Sequence, residues 1–138
     1  MEKKIFNTSM VFLVLGLFLG AFYREYTKFV GFTAPTKLVL LHPHLLVLGF
    51  IFSMIFLIFI KTYNVKDEKL NRNYNLYTLG VFLTAGTLFA RGMFDVLSVE
   101  LSKGLNAAIS GIAGVGHIIL SIALYFIFKS FNLALKNS

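Results

Sequence analysis

Three histidines carry most of the chemistry open to this chain. His42 and His44 flank Pro43 in the stretch Leu41-His42-Pro43-His44-Leu45-Leu46-Val47-Leu48-Gly49-Phe50. His117 follows a run of small residues between Ala107 and Gly116. Neutral imidazole is an axial ligand for haem iron and also suits copper and zinc. The chain has no cysteine. That excludes disulfide exchange, thiolate metal sites, iron–sulfur clusters and cysteine nucleophiles. No Gly-rich phosphate loop, Ser/His/Asp arrangement or nucleic-acid motif appears. The first two apolar runs hold no acid at mid-depth, which argues against a small proton-coupled exporter.

The histidines sit in membrane-like sequence. The chain has 138 residues, 57% of them hydrophobic, with a mean hydropathy of +0.79. Four apolar runs, 5–22, 38–60, 75–97 and 107–128, each approach the ~20 residues a helix needs to cross a bilayer. This pattern predicts an all-α fold: one membrane domain over 1–138, built as a four-transmembrane-helix antiparallel bundle in the lipid bilayer. The opening Met1-Glu2-Lys3-Lys4 and its apolar run resemble a signal peptide. Gly20-Ala21-Phe22 is a poor cleavage site, so the run reads as an uncleaved first span.

The formal net charge of +7 does not require nucleic acid, because the basic residues lie in connections and tails. Lys3, Lys4, Lys61, Lys66, Lys69, Arg72, Lys129 and Lys136 fall on one side. Arg24, Lys28, Lys37, Lys103 and Arg91 fall on the other. Basic residues concentrate in cytoplasmic loops, so both termini are expected in the cytoplasm.

Helical spacing then assigns faces. Ser9, Gly16, Gly20 and Tyr23 form one stripe of the first span, with Tyr23 pointing inward. His42 aligns with Gly49 and Ser53, and His44 with Leu48, Ile51 and Ile55, so the two rings fall on opposite faces. The third span carries Tyr77, Gly80, Thr84, Thr87 and Arg91, with Asp95 placed for an i,i+4 pair with Arg91. The fourth carries Ser110, Gly114, His117, Ser121 and Tyr125. If all four stripes turn inward, His42 and His44 lie ~6–10 Å deep, Arg91 ~9 Å and His117 ~15 Å.

That clustering points to haem b, with His117 as one axial ligand and His42 or His44 as the other. Gly49 and Gly114 make room for the macrocycle, and Arg91 or Arg24 holds a propionate. Electron transfer to a redox partner, or sensing and handling of a diatomic gas, would be the role. A copper or zinc ion on all three histidines is an alternative, and so is a non-enzymatic scaffold or accessory subunit with structural histidines.

The stretches His42 to Phe50, Ala21-Phe22-Tyr23-Arg24-Glu25, Ala90-Arg91-Gly92 and Ala108 to His117 resemble a family of small bacterial four-helix membrane proteins of unknown function. The resemblance covers nearly the whole chain. It implies a four-helix protein of the bacterial cytoplasmic membrane and carries no activity with it. The His-Pro-His element is also similar to histidine-bearing helices of haem–copper respiratory membrane proteins. A homodimer is expected.

Overall fold

A backbone in lipid must satisfy its own polar groups, so each apolar run winds into a helix. The structure, a computed structural model, describes residues 1–136. Its helices are α1 (Glu2–Phe29), α2 (Lys37–Thr62), α3 (Leu70–Val96) and α4 (Lys103–Lys136), all long and apolar enough to cross a membrane. With 26 to 34 residues each, they are roughly 40–50 Å long. They therefore overshoot the ~30 Å apolar layer and extend beyond the expected spans at both ends, except that α3 stops at Val96, one residue short of its expected end. Gly31 closes α1 at φ 67, a left-handed conformation that glycine adopts without strain.

The helices pack antiparallel in chain order. Gly16 meets Leu46, Gly20 meets His42 and Gly49 meets Phe12, so numbers fall along α2 as they rise along α1. Gly92 lies against the Leu38 backbone, and Gly80 against the backbone of Gly116 and Leu120. α4 thus rests mainly on α3, and α1 mainly on α2. Aromatic rings complete the contacts. Phe12 lies tilted against Phe82 at 4.8 Å, and Phe59 stacks on Phe131 at 4.2 Å. The core between the helices is filled by Phe12, Leu38, Leu45, Phe56, Tyr74 and Tyr77, each at most 1% exposed. Outward, Val14, Phe18, Ile58 and Ile118 are between 60% and 64% exposed, an apolar perimeter suited to lipid.

α2 is not a uniform helix. It opens as a 3₁₀ turn at Lys37–Leu40, widens into a π-helix at Leu45–Ile51, and continues as α-helix from Phe52. The amide of Phe52 bonds to the carbonyl of Val47, five residues back. Where five-residue bonding gives way to four-residue bonding, one carbonyl in the register is passed over, and that of Leu48 stands at this junction. The hydroxyl of Tyr77 donates to it from α3. One residue row away, Tyr74 donates to the Ser53 hydroxyl at 3.0 Å.

The N-terminus, the 63–69 connection and the end of α4 share one face, called here the terminus face. Lys61 pairs with Glu2 at 3.4 Å there, and Lys4 donates to Asn71 and Asn75. At the opposite, distal face Thr36 donates to the Gly92 carbonyl at 2.9 Å, and Asp95 accepts from the Lys37 amide at 2.9 Å.

A Cβ added at Gly49 would lie 2.4 Å from the Phe12 ring, so Gly49→Ala forces α1 and α2 apart. Thermal unfolding in detergent is expected to show a loss of about 1–3 kcal/mol. Gly86 on α3, with open space around it, is expected to tolerate alanine within about 0.5 kcal/mol. Equal losses at the two positions would rule out this close approach.

Candidate functional site

Each histidine is positioned by its own turn of helix. His42 is half-buried, with its Cβ against Gly20 of α1, and its Nδ1 is buried without a hydrogen-bond partner. The ring of His44 bonds through Nδ1 to the Leu40 carbonyl at 2.7 Å. That of His117 bonds through Nδ1 to the Ala113 carbonyl at 2.8 Å. A carbonyl only accepts, so Nδ1 carries the proton in both rings, and Nε2 keeps its lone pair when the ring is neutral.

The rings do not converge. His42 faces α1, whereas His117 lies exposed on the flank of α4, next to the Gly116 face that meets α3. Among the described residues no three His, Cys, Asp or Glu side chains are grouped as a metal site. The expectation that His117 sits on the packed face is therefore corrected. The buried face of α4 is Ile109, Gly116, Leu120, Ala123 and Ile127, about one residue round the helix from the Ser110–Gly114–His117–Ser121 stripe. The physical reason is that lipid favours apolar residues on every outer face. A row of small and polar residues then signals helix contact without saying which helix it contacts.

The arginines also go elsewhere. Arg91 donates through Nη2 to the Asn106 side-chain oxygen and to the Ser110 hydroxyl, both at 2.8 Å, and pins α4 to α3. The expected pair with Asp95 is not formed, because that carboxylate caps the start of α2. Arg24 is 79% exposed in its side chain and pairs with its neighbour Glu25 at 3.2 Å. Tyr23 is half-buried and packs on the core. Gly49 is filled by Phe12, and Gly114 faces open space. Arg91, Arg24 and Gly114 thus do not surround a common cavity with the histidines.

The sequence reading named Tyr77 but missed what it bonds. Its stripe with Gly80 was legible. The Leu48 carbonyl it serves was not, since backbone widening has no residue-type signature. Tyr74 and Asn73 were missed altogether; both are buried polar residues on α3.

Cavities open at the two ends. One of about 530 Å³ at the distal face is lined by Lys37, Arg91, Asp95, Glu100 and Asn106 among others. One of about 930 Å³ lies at the terminus face, between the 63–69 connection and the last turns of α4. Asp67 ties its walls together, accepting from the Ser130 hydroxyl and from the Lys69 amide at 2.8 Å. The Ser130 hydrogen bond, aided by the Lys69 amide and the charges of Lys69 and Arg72, holds this carboxyl below the usual carboxylate range.

Residues 2–134 match a family described as "Protein of unknown function (DUF2871)". No curated protein and no solved structure matches the chain.

The lowered Asp67 value gives a signed pH dependence. Its stabilisation is complete above the ordinary carboxylate value and is lost as pH falls through the lowered one. Ser130→Ala is expected to weaken the fold at neutral pH by roughly 0.5 kcal/mol, solvent screening keeping the effect small. Unfolding measured against pH should show the wild-type advantage closing in acid, below the ordinary carboxylate value. An advantage constant down to strongly acidic pH would mean that Ser130 acts by packing alone.

Proposed function

The chain belongs to the DUF2871 family, and we propose that it is a non-enzymatic membrane component that assembles through the outer face of α4. The observation that carries this reading is a contrast between glycines. Gly16, Gly20, Gly49, Gly80, Gly92 and Gly116 are each met by another helix, whereas Gly86 on α3 and Gly104, Gly111 and Gly114 on α4 meet nothing within 4 Å, so α4 holds three of the four unmet helical glycines. Small residues in a membrane helix allow close helix approach. Gly114 shares a face of α4 with His117 and Ser121, whose polar groups are poorly suited to lipid. A second copy of this chain is the partner proposed, giving a homodimer in which His42 and His44 are structural and His117 lies at the seam. Both termini are proposed to face the cytoplasm, from the excess of Lys and Arg on that side.

The absence of cysteine makes the test direct. Single cysteines at Gly114 and Ser121 are expected to form disulfide-linked dimers in oxidised membranes. Cysteines at Phe18 and Ile58, on the outer faces of α1 and α2, are expected not to. No crosslinking at Gly114 and Ser121, or equal crosslinking at all four, would sink the proposal.

One observation favours a second reading, haem b for electron transfer or gas handling. The Nδ1 bond to Ala113 leaves the Nε2 of His117 ready to ligate, since a hydrogen bond at the far ring nitrogen orients a ligating imidazole. Within one chain no histidine faces it, so the other axial ligand would come from a second copy. A copper or zinc ion would face the same requirement. The visible spectrum of protein expressed with ample haem decides: a Soret band lost in His117→Gln supports haem, and its absence after reconstitution rejects it.

A further inference from the structure

We propose that the cavity at the terminus face binds the phosphate headgroup of an anionic phospholipid. Its walls come from three places: the 63–69 connection, the first turn of α3 and the last turns of α4. Lys66, Lys69, Arg72 and Lys129 all line it, against the single acid Asp67, a balance of four positive charges to one negative. That acid is already engaged by Ser130 and the Lys69 amide. The two salt bridges among the described residues, Arg24–Glu25 and Lys61–Glu2, involve none of the four cations. An anion is what this arrangement lacks.

A second observation, independent of charge, points the same way. Asn73 lines the cavity and is only 4% exposed. Among the described residues its side-chain amide makes no hydrogen bond, and it is not one of the fully enclosed unpaired groups, His42 Nδ1 and the Thr84 hydroxyl, so its polar atoms remain reachable from the cavity. Two N–H donors are therefore available on the cavity wall for an anionic oxygen. The distal cavity differs on both counts. Its cations Lys37 and Arg91 are balanced by Asp95 and Glu100, and Arg91 is already bonded to α4.

The occupant must also be apolar. Phe126 and Leu133 line the same cavity and are 43% and 52% exposed. Lys129 directly follows the apolar run Phe126-Ile127-Phe128, so charges and apolar wall meet where α4 leaves the hydrocarbon layer. A soluble phosphate would use the cations and leave the apolar wall wet. A phospholipid uses both, with its phosphate near Arg72, Lys129 and Asn73 and its glycerol and first methylenes along Phe126 and Leu133. Basic recesses between membrane helices are suited to such headgroups.

The test compares ligands on the intact protein in detergent, read by thermal unfolding. Phosphatidylglycerol is expected to raise the unfolding temperature. Phosphatidylcholine of the same chains, glycerol phosphate and inorganic phosphate are expected to leave it unchanged. Arg72→Gln with Lys129→Gln removes two exposed cations and should weaken the phosphatidylglycerol effect about 30-fold in concentration. Lys28→Gln with Lys103→Gln, at the distal face, should retain it. Equal shifts with the two lipids would overturn the proposal, as would an undiminished effect in the Arg72/Lys129 variant. A shift with glycerol phosphate or inorganic phosphate would assign the site to a soluble anion and overturn the lipid. The outcome is separate from pairing through α4, which the cysteine crosslinks read.

Discussion

A carbonyl without an amide cannot remain unpaired in a bilayer, and one such carbonyl shapes this protein. The π-helical segment Leu45–Ile51 passes over one carbonyl where it gives way to α-helix, and at that junction the Tyr77 hydroxyl donates to the oxygen of Leu48. The bond needs α3 at a defined rotation and height beside α2. Tyr74 repeats the constraint one turn nearer the terminus face through Ser53. The irregular turn follows Pro43, which lacks an amide and so loosens the bonding pattern at the start of α2. A local defect in one helix is thus corrected by the side chain of another. Irregular backbone in a membrane is tolerated on this condition.

Glycine contacts propagate that alignment outward. Gly49 admits the Phe12 ring and so draws α1 onto the widened segment, while Gly92 admits the Leu38 backbone and draws α3 onto the start of α2. Gly80 and Gly116 then bring α3 and α4 to backbone contact. Because each close approach joins chain neighbours, the helices form a series, and α4 remains at one margin with α3 as its main support. Arg91 reinforces this margin at the distal face, and the Asp67–Ser130 contact reinforces it at the terminus face. The outer side of α4 is left to lipid or to another molecule.

Much of this was legible in the sequence. Hydropathy located the four helices, and the small-residue spacing of Gly16, Gly49 and Gly80 marked real contact faces. His42, Gly49 and Ser53 did turn inward together, with Gly49 and Ser53 buried. His117 was misplaced by about one residue of rotation, because small and polar residues mark helix contact inside or outside the chain alike. The Arg91–Asp95 pairing failed for another reason. Both residues found partners on neighbouring helices, Asn106 and Ser110 for Arg91 and the Lys37 amide for Asp95. Sequence spacing cannot weigh such tertiary competition. The terminus-face cavity was invisible for the same reason: its walls are up to about seventy residues apart, and its cations looked like topology signals alone.

The distribution of polar groups argues where function resides. Between the helices, Ser9 bonds to the Phe6 carbonyl, Ser53 to Tyr74, and Tyr77 to the Leu48 carbonyl. These groups consume one another's hydrogen-bonding capacity, and aromatic rings occupy the remaining space. Two interior groups, the His42 Nδ1 and the Thr84 hydroxyl, have no partner among the described residues, and further spare capacity lies at the boundaries: the Nε2 of His117 on the exposed flank of α4, and the Asn73 amide with its surrounding cations at the terminus face. A catalytic or transport site in a bundle needs a reachable interior with convergent polar groups. Here most interior polar groups join one helix to the next, and the two unpaired ones lie apart, His42 against Gly20 of α1 and Thr84 against Gly116 of α4. Polar groups come together with space around them at the cation-lined cavity of the terminus face, where the chain is open to other molecules.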